Sequence, residues 1–266
     1  MQIFNKNSRI PKIALGVGLP VLVTFGLSAA TFAASAYSSV GDYGPIDGIS
    51  YANESLIQVG SSSSDPVWTN AYVWAQNDAY VPAGWVGADA RLYNSSGAEV
   101  YNSGMSYCDS SLSNGADFQV DAEDYVGTGN YYAQGVTASW NGNGYDDYWT
   151  FKTPTFSTPD SVTAPITSTF SVNASGQTYG SDLSVASSAQ GPTLVEVVAT
   201  NGKTGYAYAN QLNGPTPTSP AQAVALGKTG PRTVPVYKSN GTTVIGHFIV
   251  GQGTITKKVS HAAPQG

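Results

Sequence analysis

The sequence predicts a mainly β protein: an antiparallel β-sandwich followed by a small α+β domain with one short helix. Three observations lead there. Short runs alternate apolar and polar residues with period two, Gly- and Asn-rich turns separate them, and a single segment carries helix start and stop signals. Residues 67–76 alternate cleanly, with Val67, Thr69, Ala71, Val73 and Ala75 on one face and Trp68, Asn70, Tyr72, Trp74 and Gln76 on the other. Val86, Ala88, Ala90 and Leu92 make a second small apolar face, with Trp85, Asp89, Arg91 and Tyr93 opposite. Asn94-Ser95-Ser96-Gly97 then turns the chain into residues 98–102, a hairpin signal. Residues 131–140 read as a strand, and Asn141-Gly142-Asn143-Gly144 turns it toward residues 148–152.

Later in the chain, residues 194–199, the turn Asn201-Gly202 and residues 205–212 read as a hairpin. Residues 234–237, Asn240-Gly241 and residues 243–250 read as another. Between them, residues 219–227 have the signature of a short helix: Ser219 as N-cap, Pro220 at the first position and Gly227 at the exit.

Composition divides the chain further. All five Trp lie before residue 150, in company with fourteen of the seventeen acids. Residues 153–169 are rich in Pro, Ser and Thr and read as a semi-extended linker. Beyond them six Lys or Arg face only Asp182 and Glu196. The expected organisation is residues 1–36 as a signal peptide, 37–152 as an acidic, aromatic-rich β-sandwich and 153–169 as the linker. A small α+β domain at 170–252 and a disordered tail at 253–266 complete it.

The signal reading rests on Lys6, Arg9 and Lys12, on the uncharged residues 13–33 that follow, and on the small-x-small pattern Ala34-Ser35-Ala36. An uncleaved anchor is the rival reading, weakened by Pro20 and the scattered Gly, Ala and Ser. Cleavage would give a secreted, extracellular protein with no stable membrane insertion. From residue 37 onward eight Lys or Arg stand against all seventeen acids, a net charge of −9. Such a surface repels phosphate, which argues against nucleic acid and anionic membranes as partners. Cys108 is the lone cysteine, so no intrachain disulfide is available and the core must hold the fold.

The segments VPAGWVGADARLYNSSG and YYAQGVTASWNGNGYDDYWTF (residues 81–97 and 131–151) resemble a domain recurring in secreted proteins of Gram-positive bacteria. NASGQTYGS, GYAYANQL and VPVYKSNGTTVIGHFIV are similar to a C-terminal module of exported proteins from the same group. GYAYANQL is also similar to a strand of bacterial SH3-like cell-wall-binding domains. The resemblance implies export and a bacterial origin, and it implies no activity.

Catalytic chemistry finds little support. A Ser-His-Asp mechanism needs a histidine, and only His247 and His261 exist. His247 alternates with Ile245 and Ile249 and reads as a partly buried structural residue. Two such histidines and one cysteine assemble no zinc site. Asp121, Glu123, Asp124, Asp146 and Asp147 could supply the carboxylate pair of a glycan hydrolase, or bind Ca²⁺ as the one cofactor to consider, although acids in such turns are usually solvated.

The aromatic faces are more informative. Trp68, Tyr72, Trp74, Trp85 and Tyr93 share faces with amides and charged groups, and flat rings stack on the C–H faces of sugars while amides and carboxylates bind hydroxyls. The expected function is therefore a non-catalytic secreted binding protein whose aromatic face recognises a cell-wall or environmental glycan. The competing reading places the same rings in the core. A secreted glycan hydrolase and a protein-interaction factor are the alternatives from other classes.

Overall fold

The computed structural model describes residues 32–62, 65–113, 115–124, 126–158, 170–182, 191–227, 230–251 and 254–258. Most of the expected signal segment (1–31), most of the linker (159–169) and the end of the expected tail (259–266) lie outside the described residues.

In chain order the strands begin with β1 (Phe32–Tyr37), β2 (Gly41–Ile46), β3 (Ile49–Gly60) and β4 (Val67–Ala75). Next come β5 (Val86–Asp89), β6 (Arg91–Asn94), β7 (Glu99–Asn102), β8 (Ser106–Tyr107) and β9 (Asp117–Asp124). They are followed by β10 (Asn130–Ala133), β11 (Val136–Trp140), β12 (Tyr145–Trp149) and β13 (Phe156–Ser157). The second half adds β14 (Ser171–Val172), β15 (Thr178–Gly180), β16 (Leu194–Val198) and β17 (Thr204–Tyr208). Helices α1 (Ala209–Asn213) and α2 (Pro220–Leu226) precede β18 (Arg232–Tyr237), β19 (Val244–Val250) and β20 (Thr254–Lys258). The chain is mainly β, as its alternation predicts.

Among the described residues these strands form three sheets. The first runs β1-β3-β4-β9-β20 with β2 also on β3; the second runs β12-β11-β5-β8; the third joins β13-β10-β6-β7-β19-β18-β17-β16-β15-β14. The first sheet packs its small apolar face against the other two. Ala71, Val73, Phe118 and Val120 meet Val86, Ala88, Ala90 and Cys108, while Ile57, Val59 and Val67 meet Leu92, Tyr131 and Ala133. With no disulfide available, burial of Tyr51, Phe118, Ile57 and Leu92 in these layers supplies the cohesion, at roughly 1.5–3 kcal/mol per large apolar side chain.

Two stretches that read as single strands are bent. Residues 86–94 break at Ala90, whose carbonyl accepts from Ser103 N at 3.0 Å while its own N–H donates to Ser103 Oγ at 2.8 Å. Residues 130–140 break at Gln134 and Gly135. In both cases the part before the break and the part after it lie in different sheets. Gly135 is required at its bend: a Cβ there would stand 2.6 Å from Ala71 Cβ and 2.8 Å from the Asp89 carbonyl oxygen. Period two cannot reveal such a bend, because alternation continues through it.

The helix with N-cap and exit signals forms as α2, and Gln222 N–H donates to Ser219 Oγ at 3.3 Å. Residues 209–212, which read as the end of a strand, instead make the single turn of α1, stopped at Gly214 with φ 73°. Ala-Asn-Gln-Leu contains no β-branched residue to hold an extended backbone. His247 lies on the outer face of β19 and is exposed rather than partly buried.

The two halves share hydrogen bonding. In the second half β16, β17, β18 and β19 pair in series, and β7 of the first half pairs in parallel with both ends of the series, Glu99 with Val197 and Asn102 with Val250. The five strands thus close into a ring around Val195, Val197, Ala207, Leu212, Val234, Val236, Phe248 and Val250. Phe156–Ser157, inside the stretch read as linker, pairs with β10, and Thr254–Lys258, inside the stretch read as a tail, pairs with β9. Residues 32–36, the end of the stretch read as a signal, pair with β3 as an edge strand. The composition boundary near residue 150 therefore separates two chemistries within one hydrogen-bonded framework. Residues 170–258 produced alone lack β7 and leave two strand edges open. The expected outcome is no cooperative thermal transition by circular dichroism for that fragment, against a cooperative one for the whole chain.

Candidate functional site

The five aromatic residues expected to form a platform occupy three separate places. Tyr72 and Trp74 lie on the outer face of β4 in a cluster with Ala52 and Leu56, exposed by only 2% and 8%. Trp68 is half-buried on the same face. Trp85, also half-buried, packs at the edge of the main core, and its carbonyl accepts from Trp140 N at 2.8 Å. Tyr93 is fully buried and stacks on Tyr132 with ring centroids 5.5 Å apart. No continuous open surface joins them, and three of the five are core residues. The physical reason is that large rings bury more apolar area than any other side chain, and a fold without disulfides draws on them first.

The candidate carboxylates are also dispersed. Asp121, Glu123 and Asp124 belong to β9, and Asp146 and Asp147 to β12 of a different sheet. Asp121 accepts from the Gln119 amide at 2.8 and 2.9 Å and from the Asn70 amide. Asp146 accepts from Asn141 at 3.0 Å across the hairpin turn. Among the described residues no three His, Cys, Asp or Glu side chains converge as metal ligands. Cys108 is buried, its thiol 3.7 Å from the Pro82 carbonyl oxygen.

The structure assembles two other sites. One is a buried charge cluster where the halves meet. Arg91 on β6 is buried; its Nε lies 2.7 Å from Asp89 Oδ2 and its Nη1 3.2 Å from Asp182 Oδ2 of the second half. Its Nη2 donates to Asn213 Oδ1 at 3.0 Å, and its guanidinium sits 5.1 Å from the Trp149 ring centre. Asp89 Oδ1 accepts from Ser103 Oγ at 3.0 Å. A third carboxylate, Glu99, is fully buried, and neither of its oxygens has a partner in good hydrogen-bond geometry.

Burial pushes the Glu99 carboxyl up to about 8, with Arg91 and the Asn102 side chain opposing and Asp182 and Asp89 reinforcing the rise. Burial raises the Asp182 carboxyl as well, against the pull of Arg91. A raised acid beside further carboxylates has the composition of a hydrolytic pair, but the space next to Arg91, Trp149 and Asp182 is about 10 Å³ and admits no sugar.

The second site is a cleft of about 520 Å³ between the halves. Val100 and Tyr101 of β7, Tyr131 of β10, and Asp124 with Val126 form one side. Val198 of β16, Ala199 and Thr200 just after it, and Phe248 with Ile249 of β19 form the other. Tyr131 Oη donates to the Val126 carbonyl oxygen at 2.7 Å, which fixes that ring. Burial and the nearby Asp124 hold the Tyr101 phenol up at about 12, so it stays protonated at neutral pH. A register shift between β6 and β7 at Leu92/Tyr93 turns both Val100 and Tyr101 toward the cleft side, where both pack on the Ile57–Tyr131 cluster.

Of these cleft residues only Asp124 stood out in the sequence, as one of the candidate carboxylates, because their common wall exists only once β7 is inserted between β16 and β19. Arg91 did carry a signal: it is the only Lys or Arg between residues 37 and 150, a stretch holding fourteen acids. No protein-family model, curated protein or solved structure matches the chain.

Arg91 neutralises carboxylates from both halves at once, so replacing it by Met leaves Asp89 and Asp182 buried without a counter-charge. Breaking one partner of a buried ion pair costs about 3–5 kcal/mol. Urea unfolding at neutral pH should show a loss of that size for Arg91→Met, and a change below about 1 kcal/mol would mean that the cluster does not hold the joint.

Proposed function

We propose that this chain is a secreted, non-catalytic binding protein that takes an extracellular glycan segment into the cleft between its two halves. The observation that carries the reading is the cleft itself: about 520 Å³, with the half-buried ring of Tyr101 in its wall, the buried rings of Tyr131 and Phe248 at its base, and Asp124, Asn94 and Thr200 as its polar groups. That volume lies in the range of small-ligand sites, and the mixture of rings with a few polar groups suits a ligand with apolar faces and hydroxyl edges. A sugar has that character, stacking its C–H face on a ring while its hydroxyls donate to a carboxylate. The net charge of −9 from residue 37 onward disfavours phosphorylated or otherwise anionic ligands in the same cleft.

The chemistry expected of a flat Trp platform is in this reading supplied by tyrosines in a groove. A secreted location rests on the charged start, apolar middle and Ala34-Ser35-Ala36 pattern of the N-terminal segment. Among the described residues no helix is long and apolar enough to cross a membrane.

Calorimetric titration with neutral cell-wall and polysaccharide oligomers tests the reading. Saturable binding is expected. Tyr101→Ala and Asp124→Ala should each weaken it at least tenfold, about 1.4 kcal/mol, with melting temperature followed alongside to separate binding from stability. Binding that survives both substitutions unchanged, or no binding to any oligomer, would sink the proposal.

A further inference from the structure

Glu99 is the buried ionisable group that neither the cleft nor the Arg91 ion pairs use. It is fully buried, and neither of its oxygens has a partner in good hydrogen-bond geometry. The Asn102 amide on its own strand, the one side chain that acts on it as a hydrogen-bond donor, offsets little of the burial. An ionised carboxylate left in that state is costly, and a protonated one much less so. Its position gives the cost a mechanical consequence. The backbone of Glu99 is the residue at which β7 pairs with Val197 of β16. The next residues along β7, Val100 and Tyr101, form one wall of the cleft, and those following Val197, Val198 and Ala199, form the facing wall.

We propose that Glu99 is a proton-operated latch on the joint between the halves: protonated, it lets β7 and β16 stay paired and the cleft keep its shape; ionised, it drives them apart. The second consequence, control of the cleft, rests on the binding reading above; the first does not.

The groups facing Glu99 decide the sign. Arg91 on β6 is the one cation that acts on it, and it already serves Asp89 of β5 and Asp182 of the second half. The phenol of Tyr93, paired opposite Glu99 on β6, is held protonated by burial and by the carboxylates of Asp182 and Glu99. Arg232 on β18 lies further along, toward Asp89 and Arg91, and donates to the Gln211 and Leu212 carbonyls. Ionised Glu99 is therefore a third buried carboxylate on a single guanidinium. Its pKa is raised in the closed joint, to about 8 from an ordinary 4.5, so the closed form favours the proton. The stabilisation is complete below the ordinary carboxyl range and is lost as pH rises through that window to about 8. Within the window the opening equilibrium should grow by up to about tenfold per pH unit. Asp182, raised in the same direction, adds to the trend.

The experiment is hydrogen exchange of the full chain between pH 5 and pH 9, corrected for the intrinsic pH dependence of exchange, read at the amides of β7, β16 and β19. Protection of those strands should fall as pH rises in the wild type and stay level in Glu99→Gln. Protection that is level in the wild type, or that falls equally in Glu99→Gln, would overturn the latch. If the variant does not fold, carbon-detected titration of the wild-type Glu99 carboxyl decides: a midpoint near 8 supports the latch and one near 4.5 overturns it. Oligosaccharide affinity over the same pH range reads the second consequence. Affinity that falls toward pH 9 in the wild type and holds in Glu99→Gln ties the latch to the cleft, and affinity flat in both cuts that tie. Absence of any oligosaccharide binding overturns the glycan reading and the tie with it, while the exchange and titration results still decide the latch.

Discussion

The structure depends on one buried cation. Arg91 holds Asp89 from the neighbouring sheet, two residues back across the Ala90 bend, and Asp182 from the second half, under the ring of Trp149 and out of contact with water. Burying a charge is tolerable only when it is paired and its donors are occupied, and Arg suits such a place because its planar fork reaches several acceptors at once. Once Arg91 is fixed in that position, β6 holds β7 where β16 and β19 can pair with it, and the ring of five strands can close. The same docking shapes the cleft, which has one wall from each half.

The elements were legible in the sequence to the degree that their signals were local. Alternation in residues 67–75, the Asn-Gly turns and the cap residues of α2 all act over a few positions, and all appear as read. Junctions between elements were not legible. The bends at Ala90 and Gly135 are invisible to period two, and the pairing of Glu99 with Val197 links residues far apart in the chain. A parallel pairing of this kind has no turn chemistry to announce it.

The candidate site shows the same division. The sequence marked aromatic residues beside polar ones as the place to look, and sorted them by strand face. It could not decide whether a face was covered. Tyr72 and Trp74 proved to be buried in a cluster of their own, and Tyr93 proved to belong to the joint. The half-buried ring in the wall of the cleft is Tyr101, with buried Tyr131 behind it, neither of which any pattern distinguished. Arg91 and Asp89 were visible as a pair two residues apart, but as members of a presumed binding face. Their partner Asp182 lies in the other half, beyond the stretch that read as a linker, and only the fold brings it within 3.2 Å.

The most direct measurement is a map of backbone and tyrosine ring chemical shifts as neutral cell-wall oligosaccharides are titrated into the labelled protein. The account predicts perturbations that cluster on Tyr101, Tyr131, Asp124, Thr200 and Phe248, on both walls of the cleft. Perturbations confined to the Trp68–Tyr72–Trp74 face, or spread over the surface without saturating, would contradict it.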